Sequence, residues 1–406
     1  MRPLPSSKAW ACYLRWMLAS AFFVIAIVGA FNALIDPLGV FASPRISGVN
    51  AIKPYLDHHR ELSRYQRARR LCASTGIFGN SRAEIGFDPN GTAMTAHGLS
   101  AFNHAIPGTG ASSSYRQMIW LQSANCVPKT IFLGVEFFDF LGGSVPQLLP
   151  TRATDPAPQP DSRFLAESVF SITGLRDSLT TLFLQQSRYP ATSTDRGFNP
   201  LLNYIPEVER SGHYALFRQR AEENSRNWAH KHLRLRPIDG GISDDEATID
   251  AILSVATQEG GTTYIIIYPY HAQIRMMIER LGMGELFADW KRLVVAIAER
   301  NVQRGGKVEV WDFSGVAPET LEAIPAKGDR QTQLTHYWEA GHFKKELGDL
   351  VISRLFGMQS DFGIRLNSEN IESWLVEDRN RVLAILATPS PLRGEVDDVL
   401  AQRPGK

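Results

Sequence analysis

The chain has 406 residues, room for one large α/β domain or two smaller ones. Its 44% hydrophobic and 21% charged content is that of a globular protein, and a net charge of +1 gives no footing for nucleic-acid binding. Three cysteines exclude a disulfide-built scaffold, and no CxxC or Cys/His spacing points to zinc or another metal.

The first element is apolar. Trp16–Ile35 contains no charged residue, and as a helix rising about 1.5 Å per residue it matches a bilayer core of about 30 Å. Arg2, Lys8 and Arg15 precede it and Asp36 follows, so residues 1–15 are expected in the cytoplasm, 16–35 in the membrane and the rest outside. Arg60, Arg64, Arg67, Arg69 and Arg70 do not reverse this, because long domains translocate largely regardless of charge. The competing reading is a signal peptide cleaved near Val28-Gly29-Ala30, against which stands the length of the run. A buried soluble helix would show a polar face, and none interrupts the run.

Residues 36–70 read as a juxtamembrane segment: a turn at Asp36-Pro37-Leu38-Gly39, then a polar helix over Ala51–Leu71. Strands follow at Thr75–Asn80, Ala101–Asn103, Lys129–Phe138, Thr262–Tyr268 and Lys307–Phe313. Between them lie helical patterns at Ser113–Ser123, Ile249–Thr257, His271–Leu281 and Leu286–Arg300. Strands alternating with helices predict an α/β, doubly wound and mainly parallel sheet, here over residues 71–357. Gly142–Asp245 breaks the rhythm. It opens with a Pro-rich loop, Leu149–Pro160, continues with helical patterns at Phe164–Gln186 and Tyr214–Ala229, and is expected to be a helical insertion covering one sheet edge. The amphipathic stretch Phe343–Phe356 closes the domain. Residues 358–406 form a tail with one helix, Ser368–Ala387, and a polar, frayed end. Asp361-Phe362-Gly363 is a chance match, since every other kinase motif is absent.

The chemistry-bearing residues fall at the strand ends. Ser81 follows the first strand through Gly79-Asn80, at the carboxyl edge where open α/β sheets bind ligands. A serine there can also merely cap the next helix. Glu339 precedes His342 by three residues, the spacing at which a carboxylate orients an imidazole base. His336 is a competing base, and a solvated His342 at a helix start is the bland alternative. Arg82 would bind an anionic or hydroxyl-rich substrate, or pair with Glu84 or Glu136. His271, after Tyr268-Pro269-Tyr270, would line the cleft or cap a helix. The adjacent His58 and His59 face different directions and lack a third ligand, so no metal site is read.

Four blocks taken together, Gly79-Asn80-Ser81-Arg82, Asn103-His104-Ala105-Ile106-Pro107-Gly108, Phe132–Phe138 and Tyr337–Phe343, resemble those of the SGNH/GDSL hydrolase superfamily. They are most similar to its membrane-anchored bacterial branch, which includes alginate O-acetyltransferase-like proteins. The resemblance runs over roughly Thr75–Gly357, less the insertion, by motif order. It implies an SGNH-like, flavodoxin-like fold in which Ser81 is the nucleophile, His342 the base and Glu339 the orienting acid. Backbone N–H groups of Ser81 and Gly108 would form the oxyanion hole, and Arg82, Asn103 and His271 would contact substrate. The first block reads GNSR rather than GDSL, and the acid is Glu where the family has Asp. The third-block asparagine, a side-chain donor to the oxyanion, has no equivalent: Glu136 ends that strand. In this fold the first and third strands are parallel neighbours, so Cys72 and Cys126 fall at one edge and a disulfide is expected in an oxidising compartment. Two buried free thiols are the alternative.

The resemblance further implies a single-pass protein of the bacterial inner membrane with its C-terminal domain in the periplasm. It would be an O-acetyltransferase or esterase acting on an exopolysaccharide or cell-wall glycan, with no cofactor. A multi-spanning membrane partner would deliver the acyl donor, because one helix forms no translocation path. The alternative is a non-catalytic polysaccharide-assembly or scaffold protein that keeps the fold.

Overall fold

The computed structural model describes residues 7–142, 157–229 and 234–402. The expected cytoplasmic residues before Ser7, most of the Pro-rich loop and the last residues of the tail lie outside these. The chain forms two compact units, Met1–Arg67 with Pro158–Ser193, and Ala68–Ala157 with Thr194–Lys406.

The first unit is built on a 29-residue helix, Ser7–Ile35, long and apolar enough to cross a membrane. Its side chains are exposed along most of its length, and only Gly29, Asn32 and Ile35 near its end are buried. A buried ion pair terminates it. Asp36, at φ 48°, accepts N–H groups of Val40 (2.7 Å) and Phe41 (3.2 Å), and Lys53 Nζ lies 3.3 Å from its Oδ2. The same ammonium donates to the carbonyls of Ile35 (3.2 Å) and Asp36 (2.8 Å), satisfying acceptors that a helix C-terminus leaves open. The expected polar helix is shorter than Ala51–Leu71. Lys53-Pro54 disfavours helical backbone at residue 53, so a 3₁₀ turn at Leu56–His59 leads into a helix at Arg60–Leu71.

The expected insertion is split. Its first two helices, Ser162–Phe170 and Ile172–Phe183, pack against the Ser7–Ile35 helix within the first unit. Phe170, Ile172, Leu179 and Phe183 on them are exposed.

The second unit holds a six-stranded sheet: β1 Thr75–Phe78, β2 Ala101–Asn103, β3 Thr130–Val135, β4 Thr262–Ile267, β5 Lys307–Asp312 and, after a two-stranded hairpin of β6 Tyr337–Glu339 and β7 His342–Phe343, β8 Ile364–Leu366. The order is β2-β1-β3-β4-β5-β8, parallel except for β8, which runs antiparallel to β5. The 2-1-3-4-5 core order is one of the two common doubly wound arrangements. Its strands read as continuous apolar runs because both faces are covered: Ile77, Ile131, Ile265 and Ile266 are all fully buried. Register aligns Phe78 with Leu133, Val135 with Ile267 and Ile267 with Asp312. Residues 79–81, 136 and 268–270 therefore share one carboxyl edge. β3 stops at Val135, short of the expected Phe138, because Phe137 N–H donates to the Tyr270 hydroxyl (3.2 Å) and the chain turns there.

At the opposite edge Cys72 and Cys126 form a disulfide with Cα atoms 5.1 Å apart. The described part of the tail, through Gln402, is structured and belongs to this unit. Besides β8 and the Ile371–Ala387 helix it carries a last helix, Pro391–Ala401, capped by Ser390, with Val396 and Val399 buried. Ser390-Pro391, a capping residue followed by proline at the first helical position, signals this helix in the sequence.

Candidate active site

The turn that presents Ser81 begins where β1 ends. Gly79 has φ 143°, and a Cβ there would lie 2.3 Å from the Tyr268 hydroxyl, so the turn admits only glycine. Asn80 caps the helix Ser81–Gly86: its Oδ1 accepts the Arg82 N–H at 3.1 Å. Asn80, not Ser81, does the capping. The Ser81 hydroxyl is thereby left for another partner, half-buried at the carboxyl edge of the sheet.

That partner comes from the β6–β7 hairpin. Glu339 pairs with His342 across the Ala340-Gly341 turn, in place of the expected direct entry into a helix, which starts only at Lys345. His342 Nε2 lies 2.9 Å from Ser81 Oγ, bridging a separation of 261 residues. His342 Nδ1 meets Glu339 Oε1. Phe343, next in the hairpin, packs edge-on against Phe87 with ring centroids 5.4 Å apart, which holds the hairpin to the end of the Ser81 helix.

Glu339 is buried, and its other oxygen is also engaged. Gly341 N–H donates to Oε2 at 2.6 Å, and Arg220 Nε lies 3.2 Å from the same atom. Burial alone would raise the carboxyl pKa, but His342, Arg220 and the Gly341 N–H together hold it down at about 2. Glu339 is thus ionised at neutral pH and fixes His342 with Nε2 toward the serine. The nearby Tyr204 phenol is pushed up to about 12 by burial and by the Glu339 charge.

Arg82 forms an ion pair with Glu136 and stands over the Tyr270 ring, 5.3 Å from its centroid. Glu136 also accepts the Asn80 amide (3.2 Å) and the Tyr270 hydroxyl (3.3 Å). The Glu136 carboxylate is therefore committed to holding the turn before Ser81. Gly108 lies in an exposed turn with φ 71°. The segment before it runs beside β1, with His104 N–H donating to Ile77 O (2.7 Å) and Ile106 N–H to Gly79 O (3.1 Å). Ser81, first in its helix, has an N–H without an intrahelical acceptor.

Asn103 and His271, the other two expected substrate contacts, are engaged within the fold. Asn103 is fully buried, its amide donating to the carbonyls of Ala83 (2.8 Å) and Phe87 (2.9 Å) and its Oδ1 accepting Ala105 N–H (3.0 Å). It braces the Ser81 helix from behind. His271 is also fully buried: Nδ1 accepts Gln273 N–H at 3.1 Å as a helix cap, and Nε2 meets Glu322 O at 2.8 Å. Burial lowers its pKa to about 4, so it is neutral and engaged at both nitrogens. His336 Nδ1 faces Glu319 O (3.3 Å), which leaves His342 as the imidazole on Ser81. Among the described residues no cluster of His, Cys, Asp or Glu has the makings of a metal site.

Arg220 is the site residue that sequence reasoning misses. It sits in the helix Ile205–Ala229 together with Arg210, Arg218 and Arg226, and no local signal separates it from them. No family model, curated protein or solved structure matches the chain.

Proposed function

We propose that the second unit is a serine acyl-ester enzyme. The observation that carries this reading is the line from Ser81 Oγ through His342 (2.9 Å) to a buried, ionised Glu339, assembled from the two ends of the unit. In the proposed reaction Ser81 Oγ attacks an acyl carbonyl while His342 Nε2 takes its proton. The tetrahedral oxyanion is held by the N–H groups of Ser81 and Gly108. His342 then protonates the leaving oxygen, giving an acyl-serine, and the same base activates water or an acceptor hydroxyl to release the acyl group. Arg82 stands beside the nucleophile to meet an anionic or hydroxyl-rich substrate.

By resemblance to the SGNH/GDSL superfamily, the substrate class is an O-acylated carbohydrate, and the activity is O-acetyl transfer or ester hydrolysis on an exopolysaccharide or cell-wall glycan. The apolar N-terminal helix favours an anchored protein of the bacterial inner membrane with this unit in the periplasm, and the Cys72–Cys126 disulfide agrees with an oxidising compartment. A multi-spanning partner would supply the acyl donor.

The test is release of acetate from p-nitrophenyl acetate and from acetylated xylan or alginate, with Ser81→Ala as control. Ser81-dependent release supports the reading. No release by the folded full chain from any of the three supports the alternative of a non-catalytic polysaccharide-assembly protein. One observation favours that alternative: Glu136 places a carboxylate, not a donor, at the third-block position.

A further inference from the structure

The helix Ile172–Phe183 has its polarity inside out, and Phe170, the last residue of the preceding helix Ser162–Phe170, is exposed beside it. Phe170, Ile172 and Phe183 are 58%, 88% and 76% exposed, while the buried face of the second helix is Gly174, Ser178 and Thr181. A helix on a water-soluble body shows the opposite pattern, with large apolar residues inward and small or hydroxylic ones outward. Small, hydroxyl-bearing interfaces with bulky apolar residues outside are how helices pack in lipid, where close backbone approach and polar contacts replace the hydrophobic drive.

The packing partner is the apolar Ser7–Ile35 helix, at its C-terminal end. A Cβ on Gly29 would lie 2.6 Å from Phe170 Cε1 and 3.1 Å from Val169 Cγ1, so the glycine permits the close approach. Asn32, the polar residue in the last turns of the apolar run, donates its amide to Val169 O at 2.8 Å. The exposed apolar surface is thus continuous from the long helix onto the two short ones.

We propose that these two helices form a membrane-embedded hairpin lying in the interfacial zone of one leaflet, at the C-terminal end of the Ser7–Ile35 span, with Phe170, Ile172, Leu179 and Phe183 among the lipid acyl chains. Helices of 9 and 12 residues rise about 14 and 18 Å, too short to cross a core of about 30 Å. Arg176, exposed between Ile172 and Leu179, sets the depth: its guanidinium reaches the headgroups from a helix lying in the interface and would be stranded at the bilayer centre. Arg188-Tyr189, just beyond the second helix, suits the same boundary.

The test uses the full chain with Cys12→Ser, which removes the free cysteine; the other two form the disulfide. A single cysteine is placed at Ile172, at Phe183 or at the exposed control Glu369, labelled with an environment-sensitive nitrobenzoxadiazole dye, and reconstituted into phosphatidylcholine–phosphatidylglycerol vesicles. At residues 172 and 183 the account expects blue-shifted emission, quenched by lipids carrying a nitroxide near the headgroup and little affected by aqueous iodide, with the reverse at 369. Iodide quenching at both 172 and 183 would overturn it. So would lipid-insensitive emission that depends on the protein-to-lipid ratio, which would mean a second copy covers the face. Two independent sites keep the outcome decisive if one label disturbs folding, which circular dichroism reports.

Discussion

Arg220 Nε lies 3.2 Å from Glu339 Oε2, the carboxylate oxygen left over when Oε1 meets His342 Nδ1. With Gly341 N–H on the same atom, Glu339 is held at both oxygens and aims one at the imidazole. Arg220 acts on Ser81 only through Glu339 and His342, so it is a positioning residue.

Glu339→Gln keeps the shape but removes the charge that selects the imidazole tautomer. Acyl transfer to Ser81 should fall by about 10²–10⁴, the order seen when a triad carboxylate becomes an amide. Pre-steady-state acylation by a chromogenic ester measures it.

Arg220→Ala should slow acylation about tenfold, equivalent to ~1.4 kcal/mol, a modest effect because Arg220 is one-third exposed and screened by solvent. Arg220→Lys, which keeps the positive charge beside Glu339, should restore part of the rate, a rescue that a merely structural role would not give.

The strand cores and the order of the site motifs were legible in the sequence because both rest on local signals: apolar runs of strand length, and a turn-forming Gly-Asn before Ser81. The glutamate–histidine spacing was legible, although the hairpin that realises it was not, since Tyr337–Phe343 is too short to show strand periodicity. Of the two roles open to His271, the structure shows the helix cap, and Asn103 faces backbone groups; sequence places both at the carboxyl edge but does not show the neighbouring carbonyls and N–H groups that engage them. Arg220 and the inside-out helix Ile172–Phe183 were illegible for a related reason. One arginine among several and one apolar helix face acquire meaning only from what they pack against.

Asp378 anchors the Ile371–Ala387 helix to the sheet. Its carboxylate takes Arg275 Nη2 (3.0 Å) and Lys291 Nζ (2.8 Å), while Lys291 also reaches Asp312 Oδ2 (2.7 Å). Burial would raise the Asp378 pKa, but the two cations outweigh it and hold it at about 2. Asp378→Ala leaves two buried cations with one carboxylate and should cost about 3–5 kcal/mol. Urea unfolding measures the loss, and hydrogen exchange should show Ile371–Ala387 opening first.

Acid should destabilise the second unit through His271. Its folded pKa of about 4 lies below the ordinary value of 6.5, so between these pH values the unfolded chain binds more protons and stability rises with pH. The contribution is intact above pH 6.5, declines as pH falls toward 4, and amounts to about 3 kcal/mol once lost. His213, also lowered by burial, adds in the same direction. Denaturant midpoints from pH 7 to 4 should fall accordingly, and His271→Asn, which retains a capping acceptor but does not titrate, should flatten the slope.

Labelling of the detergent-solubilised full chain by a fluorophosphonate, which phosphonylates only an activated serine, tests the central claim most directly. The account predicts a single labelled site at Ser81, abolished by Ser81→Ala and by His342→Ala, with folding of each variant verified by circular dichroism. A folded wild-type chain that takes no label, or labelling that survives Ser81→Ala, would contradict it.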